Sequence, residues 1–318
     1  MVALPEQIKP SPTIDAIEAA VVAGEKAHPA RGYIGGSAIG NPCERALWYD
    51  FRFAFPKEAF SGRMLRLFGH GHVEEDRMVK WLRDAGLTVT VEGEPGEQIA
   101  VKAVDGHFGG HLDGEVEGVL EAPKTKHVLE CKTHNSKSFA QLQKHGVAVA
   151  KPVHVAQMQV YMHLRGVTRA LYMAENKDNS ELYIERVEYD AAHAIALLVK
   201  AERIKDATAA PARINEDPTS FSCRFCGKKE GCHNKVAAQR GCRTCIHAAP
   251  YPGGVWHCGR WLVDLTIEEQ HAGCEWHLYL PSLVGGEQTD VDEKAETVTY
   301  LMDDGSDWTD GADRVVSS

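Results

Sequence analysis

Long apolar runs are missing from this chain: no stretch of eighteen consecutive apolar residues occurs, so nothing in it reads as a transmembrane helix. Its opening, Met1-Val2-Ala3-Leu4-Pro5-Glu6, lacks the basic-then-apolar layout of a secretory leader, and the expected location is the cytoplasm. Positive charge is also in short supply. Against 45 Asp and Glu stand 35 Lys and Arg, a formal net charge of −10, which argues against a chain that coats nucleic acid through bulk charge. An enzyme working on nucleic acid can still be acidic, because carboxylates that hold metal ions count toward that deficit. No internal repeat is visible. With 318 residues, 43% apolar and 25% charged, the composition predicts a soluble globular chain with one large domain and an appendage, or two domains.

Cysteine, by contrast, is plentiful, at nine residues. In a reducing compartment clustered cysteines read as metal ligands before disulfides. Cys131 stands alone in the middle of the chain. The other eight divide into Cys43 with Cys223, Cys226 and Cys232, and then Cys242, Cys245, Cys258 and Cys274. Four thiolates suit an iron–sulfur cluster or a structural Zn²⁺, and spacing alone does not choose between them. The second set, with its C-x2-C pair and several nearby histidines, predicts a compact Zn²⁺ module.

Periodicity divides the rest. Ser11-Pro12 supplies a helix start for an Ala-rich stretch to about residue 26. A glycine-rich loop at 32–40 precedes a short helix over 43–49, and a helix is expected over 71–85, closed by Gly86. Strands are expected at 87–91, 98–101, 108–116 and 127–132, then helices at 136–144 and 153–164. Strands at 169–174 and 182–187 and a long helix at 190–207 come next. This order predicts an α/β fold, a central mixed sheet flanked by helices. The expected divisions are an N-terminal helix (1–30), a core with its cysteine staple (31–235), a small cysteine-rich metal module (236–285) and an acidic tail (286–318). A small hairpin near 297–302 and Trp308 is expected in the tail, with a disordered end.

The stretch with most chemistry is Gly109-Gly110-His111-Leu112-Asp113-Gly114-Glu115 followed by His127-Val128-Leu129-Glu130-Cys131-Lys132. Strand side chains alternate faces, so Glu130 and Lys132 point one way while Leu129 and Cys131 point into the other face. Asp113 on the adjacent strand supplies a second carboxylate. Two carboxylates can hold Mg²⁺ or Mn²⁺, and a lysine beside the ion can orient a water or stabilise charge on a phosphate. Glu75 lies on the apolar stripe of its helix with Val79 and Leu82, where a carboxylate is costly unless it meets a cation. It is the candidate third acid, and His72, one turn earlier, is a weaker candidate for the same ion.

Taken in order, Glu75, Asp113, Glu130 and Lys132 resemble the motif set of the PD-(D/E)XK nuclease superfamily, in its RecB-like and phage exonuclease branch. Leu112 stands where the family name puts a proline. The resemblance covers roughly residues 30–235 and implies a restriction-endonuclease-like core. It also implies a Mg²⁺- or Mn²⁺-dependent deoxyribonuclease whose metal is held by Asp113, Glu130 and the Cys131 backbone carbonyl, with Glu75 helping. Gln157 and Tyr161 match the Gln-x-x-x-Tyr helix motif of RecB-like members, implying a contact to the DNA backbone. Cys43, Cys223, Cys226 and Cys232 resemble the iron–sulfur staple of AddB-type helicase-nucleases, implying a 4Fe–4S cluster there. The resemblance as a whole implies an exonuclease of phage-type recombination or repair, acting on DNA in a host cytoplasm away from any membrane. A recombination or single-strand-binding protein is the partner such an enzyme would take. An endonuclease on the same scaffold, or a non-catalytic DNA- or protein-binding module, are the alternatives.

Overall fold

The structure, a computed structural model, describes residues 11–25, 31–56, 59–234 and 236–312. Residues 1–10 and the expected disordered end past 312 lie outside the described residues.

Helix α1 (Pro12–Gly24) starts as its sequence dictates, with the Ser11 side chain accepting from the Ile14 amide and Pro12 in the first turn. Then come β1 (Ile34–Gly35), α2 (Glu44–Phe51) and the long α3 (Gly62–Asp84). The glycines at 69 and 71 suggest a start near 71, but Ser61 caps α3 nine residues earlier and the glycines are absorbed into it. After α3 the chain runs through β2 (Thr88–Thr90), a small hairpin of β3 (Glu92–Glu94) and β4 (Glu97–Gln98), and β5 (Ala100–Ala103). Next are β6 (Phe108–His111), β7 (Gly114–Glu117) and β8 (His127–His134), followed by α4 (Ser136–Ala150) and α5 (Pro152–Arg165). The pair β9 (Arg169–Asn176) and β10 (Leu182–Glu188) leads into α6 (Ala191–Asp206).

Five strands make the central sheet in the order β10-β9-β8-β7-β2, with β8 and β9 parallel and the other pairs antiparallel. Both faces are covered. Leu129 and Cys131 pack with Met78, Val79 and Leu82 of α3. Val128, Tyr172 and Ala174 face Phe139 and Leu142 of α4 and Met158 and Met162 of α5. A mixed sheet flanked by helices is what the alternation of apolar runs predicts.

The strand expected over 108–116 is two strands in different sheets. His111 of β6 pairs with Ala100 of β5 in a three-stranded sheet completed by β1, whereas Gly114 of β7 pairs with Leu129 of β8. Asp113 therefore sits in the two-residue link where the chain changes sheets, and not on a strand.

Past α6, a short helix α7 (Lys229–His233) precedes a tight turn at Cys242–Thr244, then β11 (Ala248–Tyr251), β12 (Val255–Cys258), β13 (Val263–Leu265) and α8 (Ile267–Ala272). This region does not stand apart as an appendage. Cys242, Ala248, Trp256, Leu280 and Leu283 share one apolar core with Trp48, Phe51 and Phe108. The tail forms an antiparallel sheet of β14 (Glu287–Asp292), β15 (Thr297–Leu301) and β16 (Asp307–Asp310), larger than the expected hairpin. Among the described residues no helix is long and apolar enough to cross a membrane.

Candidate active site

The alternation of β8 puts Glu130 and Lys132 on the α5 side of the sheet, and the register sets Glu130 beside Tyr172 and Lys132 beside Ala174 of β9. Glu130 is fully buried. The Lys132 ammonium lies 2.5 Å from Glu130 Oε1 and 3.7 Å from Asp113 Oδ2, and it donates to the Cys131 carbonyl at 3.0 Å. It thus sits among the three oxygen donors that the family resemblance implies for a metal ion. A cation held there by two carboxylates and a carbonyl shows that the oxygens form a cation-attracting cradle. The Cys131 amide donates to Asp113 Oδ2 at 2.7 Å, which ties the sheet-to-sheet link to β8.

Charge in this cradle is strongly perturbed. Burial pushes the Glu130 carboxyl up to about 7; the Lys132 ammonium opposes this and Asp113 adds to it. Glu75, half-buried on α3, is also pushed up to about 7, by burial first and then by Asp113. Burial works against the Lys132 ammonium, but Glu130 and Asp113 outweigh it and raise its pKa. Two acids raised toward neutrality thus sit beside a lysine that holds its proton. His72, on the same helix as Glu75, is exposed.

Gln157 and Tyr161 are placed differently from a DNA-backbone contact. Both are buried, and Gln157 Nε2 donates to Glu130 Oε2 at 3.0 Å. Its amide is spent on orienting the carboxylate because α5 packs directly over β8. The Tyr161 ring is wedged between two glycines. A methyl group added at Gly110 would lie 2.1 Å from the phenol oxygen, and one at Gly36 would lie 2.5 Å from the ring. Burial, and then the nearby Glu130 and Asp113 charges, raise the Tyr161 pKa.

Sequence reasoning passed over the next residue on the same face. His134 follows Lys132 by two positions, and its Nε2 lies 2.9 Å from the Tyr172 hydroxyl, which also contacts His154 Nδ1 at 2.9 Å. Lys151 donates to Ser138 at 2.6 Å, and Ser138 lies 3.3 Å from His134 Nδ1. Burial holds His134 down to about 4 and His154 to about 3, so both are neutral and hydrogen-bonded. The period of two in β8 would have found His134; nothing local pointed to Tyr172.

The cysteines gather as two sets. Cys43, Cys223, Cys226 and Cys232 line a cavity of about 20 Å³ between the start of α2 and the 223–233 segment. Cys242, Cys245, Cys258 and Cys274 line another of about 10 Å³. Burial, followed by the neighbouring thiols Cys245, Cys274 and Cys258, pushes Cys242 up to about 12. Among the described residues, however, no group of three or more His, Cys, Asp or Glu side chains is closed up as a metal site. The donor chemistry of each set suits a thiophilic metal, while the grouping itself is open.

No protein-family model and no curated protein matches the chain. Among solved structures, LHK-Exo in complex with dAMP is similar at 18% identity, over 60% of this chain and 90% of that one, with a TM-score of 0.39. An alkaline exonuclease (LHK-Exo) from Laribacter hongkongensis matches at 17% identity, again over 60% and 90%, with a TM-score of 0.39. SSO0001 matches at 12% identity over 71% of this chain and 98% of that one, with a TM-score of 0.40. These TM-scores fall below the level of a shared overall fold, so the functional reading rests on the side chains.

Proposed function

We propose that the protein is a divalent-metal-dependent DNA nuclease, of the exonuclease type that the sequence motifs resemble, serving phage-type recombination or repair. The observation that carries the reading is the Lys132 ammonium held among Glu130 Oε1, the Cys131 carbonyl and Asp113. Asp113, Glu130 and the Cys131 carbonyl would hold Mg²⁺ or Mn²⁺, with Glu75 completing the acid set. Such an ion supplies Lewis-acid stabilisation of charge on a scissile phosphate. Gln157 fixes the Glu130 carboxylate through its amide. Lys132, beside such an ion, would hold an attacking water or a phosphate oxygen. The four thiols around Cys43 would hold a 4Fe–4S cluster or a Zn²⁺ that staples α2 to the segment after α6, and those around Cys242 a Zn²⁺.

Linear and covalently closed circular DNA, each incubated with Mg²⁺ or Mn²⁺, test the reading. An exonuclease degrades only the linear form. Cutting of the circle makes the protein an endonuclease, and prolonged incubation with Mn²⁺ that leaves both forms intact makes it a non-catalytic binding module.

A further inference from the structure

A buried cation lies between the two cysteines of the Cys242-Arg243-Thr244-Cys245 turn. Arg243 is 1% exposed and is paired with no carboxylate among the described residues. Its guanidinium donates to three separate parts of the chain: to Gln270 Oε1 of α8 at 2.8 Å, to the Phe51 carbonyl at 2.6 Å and to the Gly32 carbonyl at 3.0 Å. Aromatic rings enclose the rest, with the guanidinium carbon 4.0 Å from the Phe53 centroid and 4.6 Å from that of Trp256. An arginine saturated by carbonyls and rings has no freedom to move without breaking all of them.

Gly32 opens the glycine-rich loop, and four residues later that loop forms the wall behind Tyr161. The Gly36 amide donates to the Gly109 carbonyl at 2.9 Å, and both Gly36 and Gly110 abut the Tyr161 ring. The same cysteine-rich region grips the other side of this wall. The Gly254 amide donates to the Asp105 carbonyl at 2.7 Å, and His107 Nε2 lies 2.7 Å from the Tyr251 carbonyl. Asp105 and His107 immediately precede β6, the strand that leads to Asp113. The cysteine-rich region therefore holds both the segment running through β1 to Gly36 and the strand β6, and Gly36 and Gly110 bracket the Tyr161 ring.

We propose that Arg243 is a positioning residue of the nuclease site, through which a Zn²⁺ held by Cys242, Cys245, Cys258 and Cys274 sets the Gly32–Gly36 wall against Tyr161. The metal fixes the turn that carries Arg243, Arg243 fixes the Gly32 carbonyl, and the loop fixes the phenol beside Glu130 and Asp113. This deepens the nuclease reading and rests on it for its consequence in catalysis, though not for the coupling itself.

The test is ¹⁹F NMR of the full chain labelled with 3-fluorotyrosine, the Tyr161 and Tyr183 signals being assigned by Tyr161→Phe and Tyr183→Phe. Arg243→Lys keeps the charge but cannot span three acceptors, and Cys258→Ser opens the thiol ring. Both shift or broaden the Tyr161 signal while that of Tyr183, on β10, stays in place, and Cys258→Ser loses one equivalent of zinc. Arg243→Lys also lowers kcat about tenfold with KM for DNA unchanged, since a small misplacement near the reacting groups is costly and Arg243 contacts no substrate. Should Arg243→Lys fail to fold, Gln270→Met removes one acceptor, leaves the turn intact and moves the same signal by less. A parental Tyr161 signal in the folded variants, or parental zinc content in Cys258→Ser, overturns the proposal. Because the fluorine signal is read without DNA, an inert enzyme whose Tyr161 signal still responds removes the nuclease reading and leaves the coupling standing.

Discussion

Lys132 is a half-buried cation and Arg243 a fully buried one, and the molecule neutralises them in opposite ways. Lys132 is held by Glu130, whose carboxyl is itself raised toward neutrality, and by Asp113, so its surroundings change with pH and with any competing cation. Arg243 is held by carbonyls, an amide oxygen and aromatic rings, none of which titrates, although burial, and then the neighbouring Arg52 charge, brings it down to about 9. Its neighbour Arg52 is treated alike, donating to the carbonyls of Arg243 and Ala207. The lesson is that buried charge among acids marks a place where ions and protons exchange, whereas buried charge among carbonyls marks a joint. Removing one partner from such a joint strands several polar groups at once.

The largest effect expected from this contrast comes from truncating each cation. Lys132→Ala lowers the rate of DNA cleavage by about 10²- to 10³-fold, the range found when one charge-stabilising donor is lost, with the thermal midpoint near the parent's. Arg243→Ala acts first on stability: it strands three acceptors and costs about 2–4 kcal/mol in chemical denaturation, while its loss of rate, about tenfold, stays well below that of Lys132→Ala. If the two variants behaved alike in both measurements, the distinction between exchange site and joint would be lost.

A second effect separates them by pH. Glu130 and Glu75 are acids raised from 4.5 to about 7, so they subtract stability from the cation-free protein as pH climbs through that window. Below about pH 7 they also hold protons that a divalent cation must expel. Calorimetric affinity for Mn²⁺ therefore weakens on going from pH 8 to pH 6, by about tenfold per pH unit for each proton displaced. Mn²⁺ correspondingly raises the thermal midpoint more at pH 8 than at pH 5.5.

The smallest effect concerns the amide that orients Glu130. Gln157→Leu lowers kcat by about tenfold, the value of one hydrogen bond to a charged group, and displaces the pH–rate profile upward because the carboxylate loses a donor.

Much of the cradle was legible in the sequence because strand alternation is a strict rule: it put Glu130 and Lys132 on one face and Leu129 and Cys131 in the opposite core. Short spacing made only the Cys223/Cys226 and Cys242/Cys245 pairs legible; Cys43, Cys258 and Cys274 reach their sets through the fold, and among the described residues no set closes up as a metal site. Asp113 was found but misplaced, because nothing in Gly-Gly-His-Leu-Asp-Gly reveals that the chain leaves one sheet and enters another at that point. Gln157 was found without its partner, since helix spacing tells which residues share a face and not what the face covers. Arg243 was not legible at all. Its acceptors Phe51 and Gly32 are 192 and 211 positions away, a joint that exists only once the cysteine-rich region has packed into the core of the first half.

The most direct test of the central claim is Mn²⁺ binding to the purified protein at pH 8, followed by electron paramagnetic resonance and compared with Asp113→Asn. The account predicts that the parent sequesters one or two Mn²⁺ ions and that folded Asp113→Asn loses this binding together with DNA cleavage. A folded parent that binds no Mn²⁺, or an Asp113→Asn protein that binds Mn²⁺ and cleaves DNA as the parent does, would contradict it.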